Sequence, residues 1–277
     1  PIRPLPAVAG IVLVAALGLL GMLGRVDNIN PENPVPLRWS DAFFSGNAAV
    51  GALGLNPVTF IYDTHRIPPE KYDLAELGRH YDTVAHYLSV DSPDPATLSM
   101  QRTVKPHVHR LPVAQAPNVV FIMLESLGAS RSGLFGNPLD PTPELDALAR
   151  EGWLFRNLHV PVTGTAKTVW ASITGIPDAA RSESATRNPF ISSQHSVINA
   201  LRGYEKIYAV GGSAGWANMN ALVLGSIDKV RLYEEGHWRA PNDDVWGISD
   251  LNLFRETDAI LREQARKGPF FAYIQTA

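Results

Sequence analysis

Apolar positions change their spacing along the chain, and each spacing predicts a different kind of element. From Ala7 to Gly24 they run almost unbroken, and no charged residue lies between Arg3 and Arg25. The run shows no polar face at helical spacing and approaches the ~20 residues that a bilayer-spanning helix needs. A transmembrane helix is therefore expected over residues 1–25. A buried helix of a soluble core and a signal-peptide core are the alternatives. The missing polar face opposes the first. The length of the run and the lack of a starting Met or a small-residue cleavage site oppose the second. The acidic and amide-rich Asp27–Asn33 that follows favours a non-cytoplasmic side for the rest of the chain.

Residues 26–116 read as juxtamembrane helices and linker. Trp39–Leu55 is apolar with Gly and Ala interspersed, a helix either on the membrane surface or packed on the main domain. Leu74, Leu77, Tyr81, Val84 and Leu88 recur on one side of a second helix, which Asp91-Ser-Pro-Asp-Pro95 breaks. Thr103–Pro117 is a polar, basic linker. His107 and His109 would face the same way in a strand, so a two-histidine metal site is the alternative to a solvated linker there.

From Asn118 onward strands alternate with helices. Strand-like runs fall at Val119–Leu124, Trp153–Leu158, Lys206–Val210, Lys229–Leu232 and Phe270–Gln275. Thr142-Pro143-Glu144 is a helix start, with a capping hydroxyl and Pro in the first turn. Ser196–Leu201 reads as helical and ends before Gly203, and Ile248–Arg266 is a longer amphipathic helix stopped by Gly268-Pro269. This alternation predicts an α/β fold, a mostly parallel sheet with helices on both faces.

Composition narrows the chemistry. Of 277 residues, 45% are hydrophobic and 18% charged. The 24 basic and 27 acidic residues give a net charge of −3 and no basic excess for nucleic acid. The absence of cysteine excludes disulfides, thiolate metal sites and a cysteine nucleophile. The chain begins at Pro1 and stops at Ala277 just after a strand-like run, so it is expected to be part of a longer protein.

Functional groups collect at the carboxyl ends of strands in such folds, and Glu125 stands at one. Thr168 follows at a helix start, in Thr163-Gly-Thr-Ala-Lys-Thr168. Each alone is more often a cap or a salt-bridge partner. Together they suggest more. A threonine hydroxyl needs a base or a metal to become a nucleophile, and Glu125 is a hard oxygen ligand for a divalent cation. A helix N-terminus would add N–H groups for an anion, an arrangement suited to phosphoryl transfer through a covalent intermediate.

Three stretches carry a resemblance: Asn118-Val-Val-Phe-Ile-Met-Leu-Glu-Ser-Leu-Gly128, Pro141-Thr-Pro-Glu-Leu-Asp-Ala-Leu-Ala-Arg-Glu-Gly152 and Thr163–Thr168. They resemble the lipoteichoic acid synthase and phosphoglycerol transferase branch of the sulfatase/alkaline phosphatase superfamily, over Asn118–Ala277. The resemblance implies that residues 117–277 are the N-terminal part of a sulfatase-like catalytic domain. It implies Glu125 and Thr168 as metal ligands, Thr168 also as nucleophile, and a divalent ion, Mn²⁺ with Mg²⁺ or Zn²⁺ as alternatives. Gly211–Asn220 falls where the family contacts the head group. Trp216 matches an aromatic there, and Asn218 stands where the family has an arginine. Trp246-Gly-Ile-Ser-Asp250 matches a structural stretch before a long helix.

The implied partners are phosphatidylglycerol and a glycan or polymer acceptor. The implied location is the bacterial inner membrane, with the catalytic domain outside the cytoplasm. The family's Asp-His pair and further histidine follow the strand matching Phe270–Gln275, beyond Ala277. None of the eight histidines, His159 included, replaces them, so these residues alone are expected to be inactive. A phosphoethanolamine transferase and a sulfatase or phosphodiesterase are the alternatives in the same superfamily. Ser126 and Ser130 do not build the Cys/Ser-x-Pro-x-Arg element of a sulfatase. A non-catalytic membrane-anchored binding or scaffold protein is the alternative of another class.

Overall fold

A computed structural model gives the fold. It describes residues 4–23, 42, 48–55, 57–65, 67, 73–103, 116–160, 162–179, 184–189 and 193–277. His107 and His109 lie outside the described residues.

Helix α1 (Pro4–Leu23) forms where the unbroken apolar run predicts it. Its described side chains, Val8 to Gly21, all face solvent, with Ile11 and Val14 about two-thirds exposed. Among the described residues no helix is long and apolar enough to cross a membrane, so the expected span is not established. Short helices α2 (Ala48–Gly54) and α3 (Pro57–Thr64) follow. Helix α4 (Leu74–Leu88) starts where the pattern predicts, with Asp73 capping it through the Glu76 N–H, and ends two residues short of the expected Val90 because Ser89 turns into left-handed backbone. Tyr81 and Ala85 are its buried face.

From Val119 onward the chain is built on four parallel strands: β1 (Val119–Met123), β2 (Glu205–Val210), β3 (Arg231–Tyr233) and β4 (Phe270–Gln275). Their order is β1-β4-β2-β3. The last strand in sequence is thus inserted between the first two, and every residue of β4 is buried. Alternation along the strands sorts two cores. Tyr208, Val210, Phe271, Tyr273 and Met123 face α6 (Thr165–Thr174) and α7 (Met219–Ser226). Ile207, Ala209, Ala272 and Ile274 face α8 (Asp250–Ala265), which contributes Leu253, Ile260 and Leu261. Helices therefore cover both faces, as the α/β pattern predicts.

Three local expectations are corrected. Trp153–Leu158 is not a strand: Arg156 and Asn157 form a turn that Leu158 N–H closes onto the Phe155 carbonyl, and Trp153 and Leu158 stay exposed. Helix α5 (Pro143–Glu151) begins at Thr142, but the Thr142 hydroxyl caps no N–H. It donates to the Asp146 carboxylate at 3.0 Å, beside the Ser132 hydroxyl at 2.7 Å. Ser196–Leu201 holds only a short 3₁₀ turn, Val197–Ala200, because the chain must tighten before β2.

Leu253 is fully buried between α8 and the sheet, whereas Leu251 two positions away is 58% exposed. Leu253→Ala should lose about 2–5 kcal/mol of unfolding free energy in a urea titration. Leu251→Ala should stay within about 0.5 kcal/mol of the parent.

Candidate active site

The carboxyl ends of β1, β2 and β4 lie side by side in the parallel sheet, and the candidate residues follow them. Glu125 comes two residues after β1 and is half-buried. Its N–H donates to the Thr276 hydroxyl at 2.8 Å, and its carboxylate accepts from the Ser126 hydroxyl at 3.4 Å. Ser126 turns the chain away in left-handed backbone, φ 56°.

Thr168 sits in the first turns of α6. Gly164 opens that helix at φ 146°, which a residue with a Cβ adopts only with strain. The helix starts at Thr165, three residues ahead of Thr168. The Thr168 N–H is therefore already used, donating to the Gly164 carbonyl at 3.0 Å. The anion-facing end of the helix thus precedes Thr168, a correction to the expectation that the helix begins there. Its half-buried hydroxyl makes one long contact, 3.5 Å to the Val162 carbonyl. Ala166, Val169, Trp170 and Ile173 bury the opposite stripe of α6. Ser172, one turn beyond Thr168, shares a 2.8 Å hydrogen bond with the Tyr273 phenol of β4.

Tyr273 also stacks on Tyr208, centroids 4.8 Å apart, and donates to the Met123 sulfur at 3.3 Å. Burial pushes both phenols above the ordinary tyrosine range; for Tyr273 the Ser172 bond opposes this. Both stay protonated near neutral pH, so Tyr208 donates to the Gln275 amide oxygen at 2.5 Å. Strand β4 and the residue that follows it thus contact both stretches, the Glu125 turn through Thr276 and the Thr168 helix through Tyr273 and Ser172.

After β2 the chain passes through Gly211 and Gly212 into strained backbone, with Ala217 at φ 52° and Asn218 at φ 58°. Strain of this kind costs on the order of 1–3 kcal/mol per residue and persists only where neighbours enforce it. Here Ala214 N–H is held by the Glu234 carboxylate at 2.6 Å, and Asn220 N–H by the Ala214 carbonyl at 2.8 Å. Asn218 is buried, while Trp216 stays 41% exposed and meets Trp246 edge-on at 5.8 Å. Trp246 is half-exposed too. The contact joins the Trp246–Asp250 stretch, expected to be structural, to the Gly211–Asn220 passage.

Glu125 and Thr168 offer hard oxygen donors that suit a divalent cation such as Mn²⁺ or Mg²⁺. Among the described residues no group of three His, Cys, Asp or Glu side chains converges as a metal site.

The family model for sulfatases matches residues 117–277, more than half of the chain, so the chain belongs to the sulfatase family. Human arylsulfatase A is 40% identical over 65 residues, 24% of this chain and 13% of that protein. The bovine arylsulfatase A is 37% identical over the same length. Among solved structures, a protein of the alkaline phosphatase superfamily from Vibrio parahaemolyticus superposes with a TM-score of 0.60 at 27% identity, over 75% of this chain and 50% of that one. The lipoteichoic acid synthase LtaP from Listeria monocytogenes shares the fold, with a TM-score of 0.53 at 19% identity, over 71% of this chain and 46% of that one. The chain thus spans half or less of the length of the relatives it matches.

A Cβ on Gly212 would lie 2.2 Å from the Trp246 carbonyl oxygen. Gly212→Ala should therefore cost about 1–3 kcal/mol of stability and shift the tryptophan emission. An unchanged denaturation midpoint and spectrum would contradict this packing.

Proposed function

We propose that this member of the sulfatase family is the N-terminal part of a membrane-anchored, metal-dependent transferase. It moves glycerol phosphate from phosphatidylglycerol to a glycan or polymer acceptor. The observation that carries the reading is a strand-end carboxylate, Glu125, and a hydroxyl near a helix start, Thr168, on two elements that both meet the end of β4, one through Thr276 just after the strand and one through Ser172 and Tyr273. A threonine in the nucleophile position distinguishes this chain from a sulfatase with a modified cysteine, and the chain has no cysteine at all.

Thr168 Oγ forms a bond to the phosphorus of the phospholipid. The phosphorus–oxygen bond to diacylglycerol breaks, and the hydroxyl proton leaves with the diacylglycerol oxygen. An acceptor hydroxyl then attacks the same phosphorus, and Thr168 Oγ departs and regains a proton. Glu125 and Thr168 would hold a divalent ion, with the remaining ligands supplied from outside the present residues. When bound, that ion lowers the pKa of the hydroxyl and offsets charge on the phosphate. In this reading the half-exposed Trp216 would contact the head group, and the buried Asn218 would act only through the turn that carries Trp216.

An anchor in the membrane that also holds the lipid substrate belongs to this reading; the apolar, exposed surface of α1 is compatible with it, although no helix among the described residues is long and apolar enough to cross a membrane. A bacterial inner membrane with the catalytic domain outside the cytoplasm fits this reading. The local identity with arylsulfatase A favours, as a second reading, hydrolysis of a sulfate or phosphate ester at the same site.

In the full-length protein, Thr168→Ala should lower head-group transfer from labelled phosphatidylglycerol by about 10³-fold or more. Retained transfer would remove Thr168 from the mechanism. Glu125→Gln should raise the Mn²⁺ concentration for half-maximal activity by about tenfold or more. An unmoved titration would remove Glu125 from the metal site.

A further inference from the structure

We infer that Thr276 is a positioning residue for the metal site: its hydroxyl sets the orientation in which Glu125 presents its carboxylate. This rests on the reading of Glu125 as a ligand. Beyond Met123 the first strand leaves the sheet, and Glu125 N–H has no ladder partner. Left unpaired in a half-buried place, it would be costly. The Thr276 hydroxyl accepts that N–H at 2.8 Å, across 151 positions of sequence.

Thr276 is itself fixed. It is 3% exposed, its N–H donates to the Met123 carbonyl at 3.1 Å, and its hydroxyl turns its own proton toward the same carbonyl at 3.4 Å. One side chain thus closes a ring with the backbone on both sides of Leu124. That ring holds the Glu125 peptide plane against the end of β4. The next residue, Ser126, enters left-handed backbone, so a rotation at Glu125 would swing the carboxylate rather than be absorbed by the turn. Tyr273, three residues earlier on β4, holds the Thr168 helix through Ser172. The separation of the two proposed ligands is therefore referred to one strand, and Thr276 is the part of that reference nearest Glu125.

Thr276→Val keeps the shape and removes the hydroxyl, and Thr276→Ser keeps the hydroxyl. In the full-length protein, direct Mn²⁺ binding followed by the electron paramagnetic resonance of the free ion should weaken about tenfold in Thr276→Val. It should stay within about twofold of the parent in Thr276→Ser. Thermal unfolding of the same samples separates a local from a global effect. Hydrogen exchange of the Glu125 amide in the unaltered protein needs no variant and should show a protected site.

Parent-like Mn²⁺ binding by folded Thr276→Val, or an unprotected Glu125 amide, would overturn the positioning role alone. An unaltered protein that binds no Mn²⁺ would overturn it together with the reading of the site. Weakened binding in Thr276→Val, restored in Thr276→Ser, supports it.

Discussion

The burial of β4 between β1 and β2 is the constraint on which the remaining structure depends. All six of its residues are inside, so none of its backbone or side-chain polar groups reaches water. The backbone is satisfied by two parallel ladders. The side chains must find protein partners: Gln275 takes the Tyr208 phenol and Tyr273 takes Ser172, while Thr276, the residue after the strand, takes the N–H of Glu125. Because helices cover both faces, those partners come from the elements that surround the candidate site. The need to satisfy a dry strand and the need to hold a rigid site are met by the same hydrogen bonds.

The glycine-rich passage after β2 adds a second fixed surface. Gly211 and Gly212 let the backbone of Trp246-Gly247-Ile248 approach closely, with Ile248 N–H donating to the Gly211 carbonyl at 3.3 Å. That approach sets Trp246 beside Trp216 at the carboxyl end of the sheet. The strained pair Ala217 and Asn218 keeps the indole of Trp216 outward while Asn218 turns in. Strain held by a packed surround is typical of places where a ligand is met.

Much of this was legible in the residues. Apolar runs marked β1, β2 and β4 to within a residue at either end; β2 and β4 are buried on both faces and have no reason to alternate, whereas β1 lies at the sheet edge with Val120, Phe121 and Ile122 exposed. Glu125 and Thr168 stood out by their positions at a strand end and near a helix start. Trp153–Leu158 misled because its apolar residues imitate a strand while Arg156-Asn157 make a turn, a choice settled by chain context rather than hydrophobicity. The insertion of β4 between the first two strands, the Trp216–Trp246 pair and the reach of Thr276 to Glu125 depend on contacts between distant residues. No local periodicity encodes these. Thr276 in particular looks like an ordinary residue after a strand until its partner is known.

Thr168 is the residue proposed to take the transferred group. Peptide mass mapping of the full-length protein, quenched in acid after brief exposure to phosphatidylglycerol without acceptor, tests this most directly. The expected result is a glycerol phosphate adduct on the peptide carrying Thr168, localised to that side chain by fragmentation. An adduct on another residue, or transfer that proceeds with no adduct under any trapping condition, would contradict it.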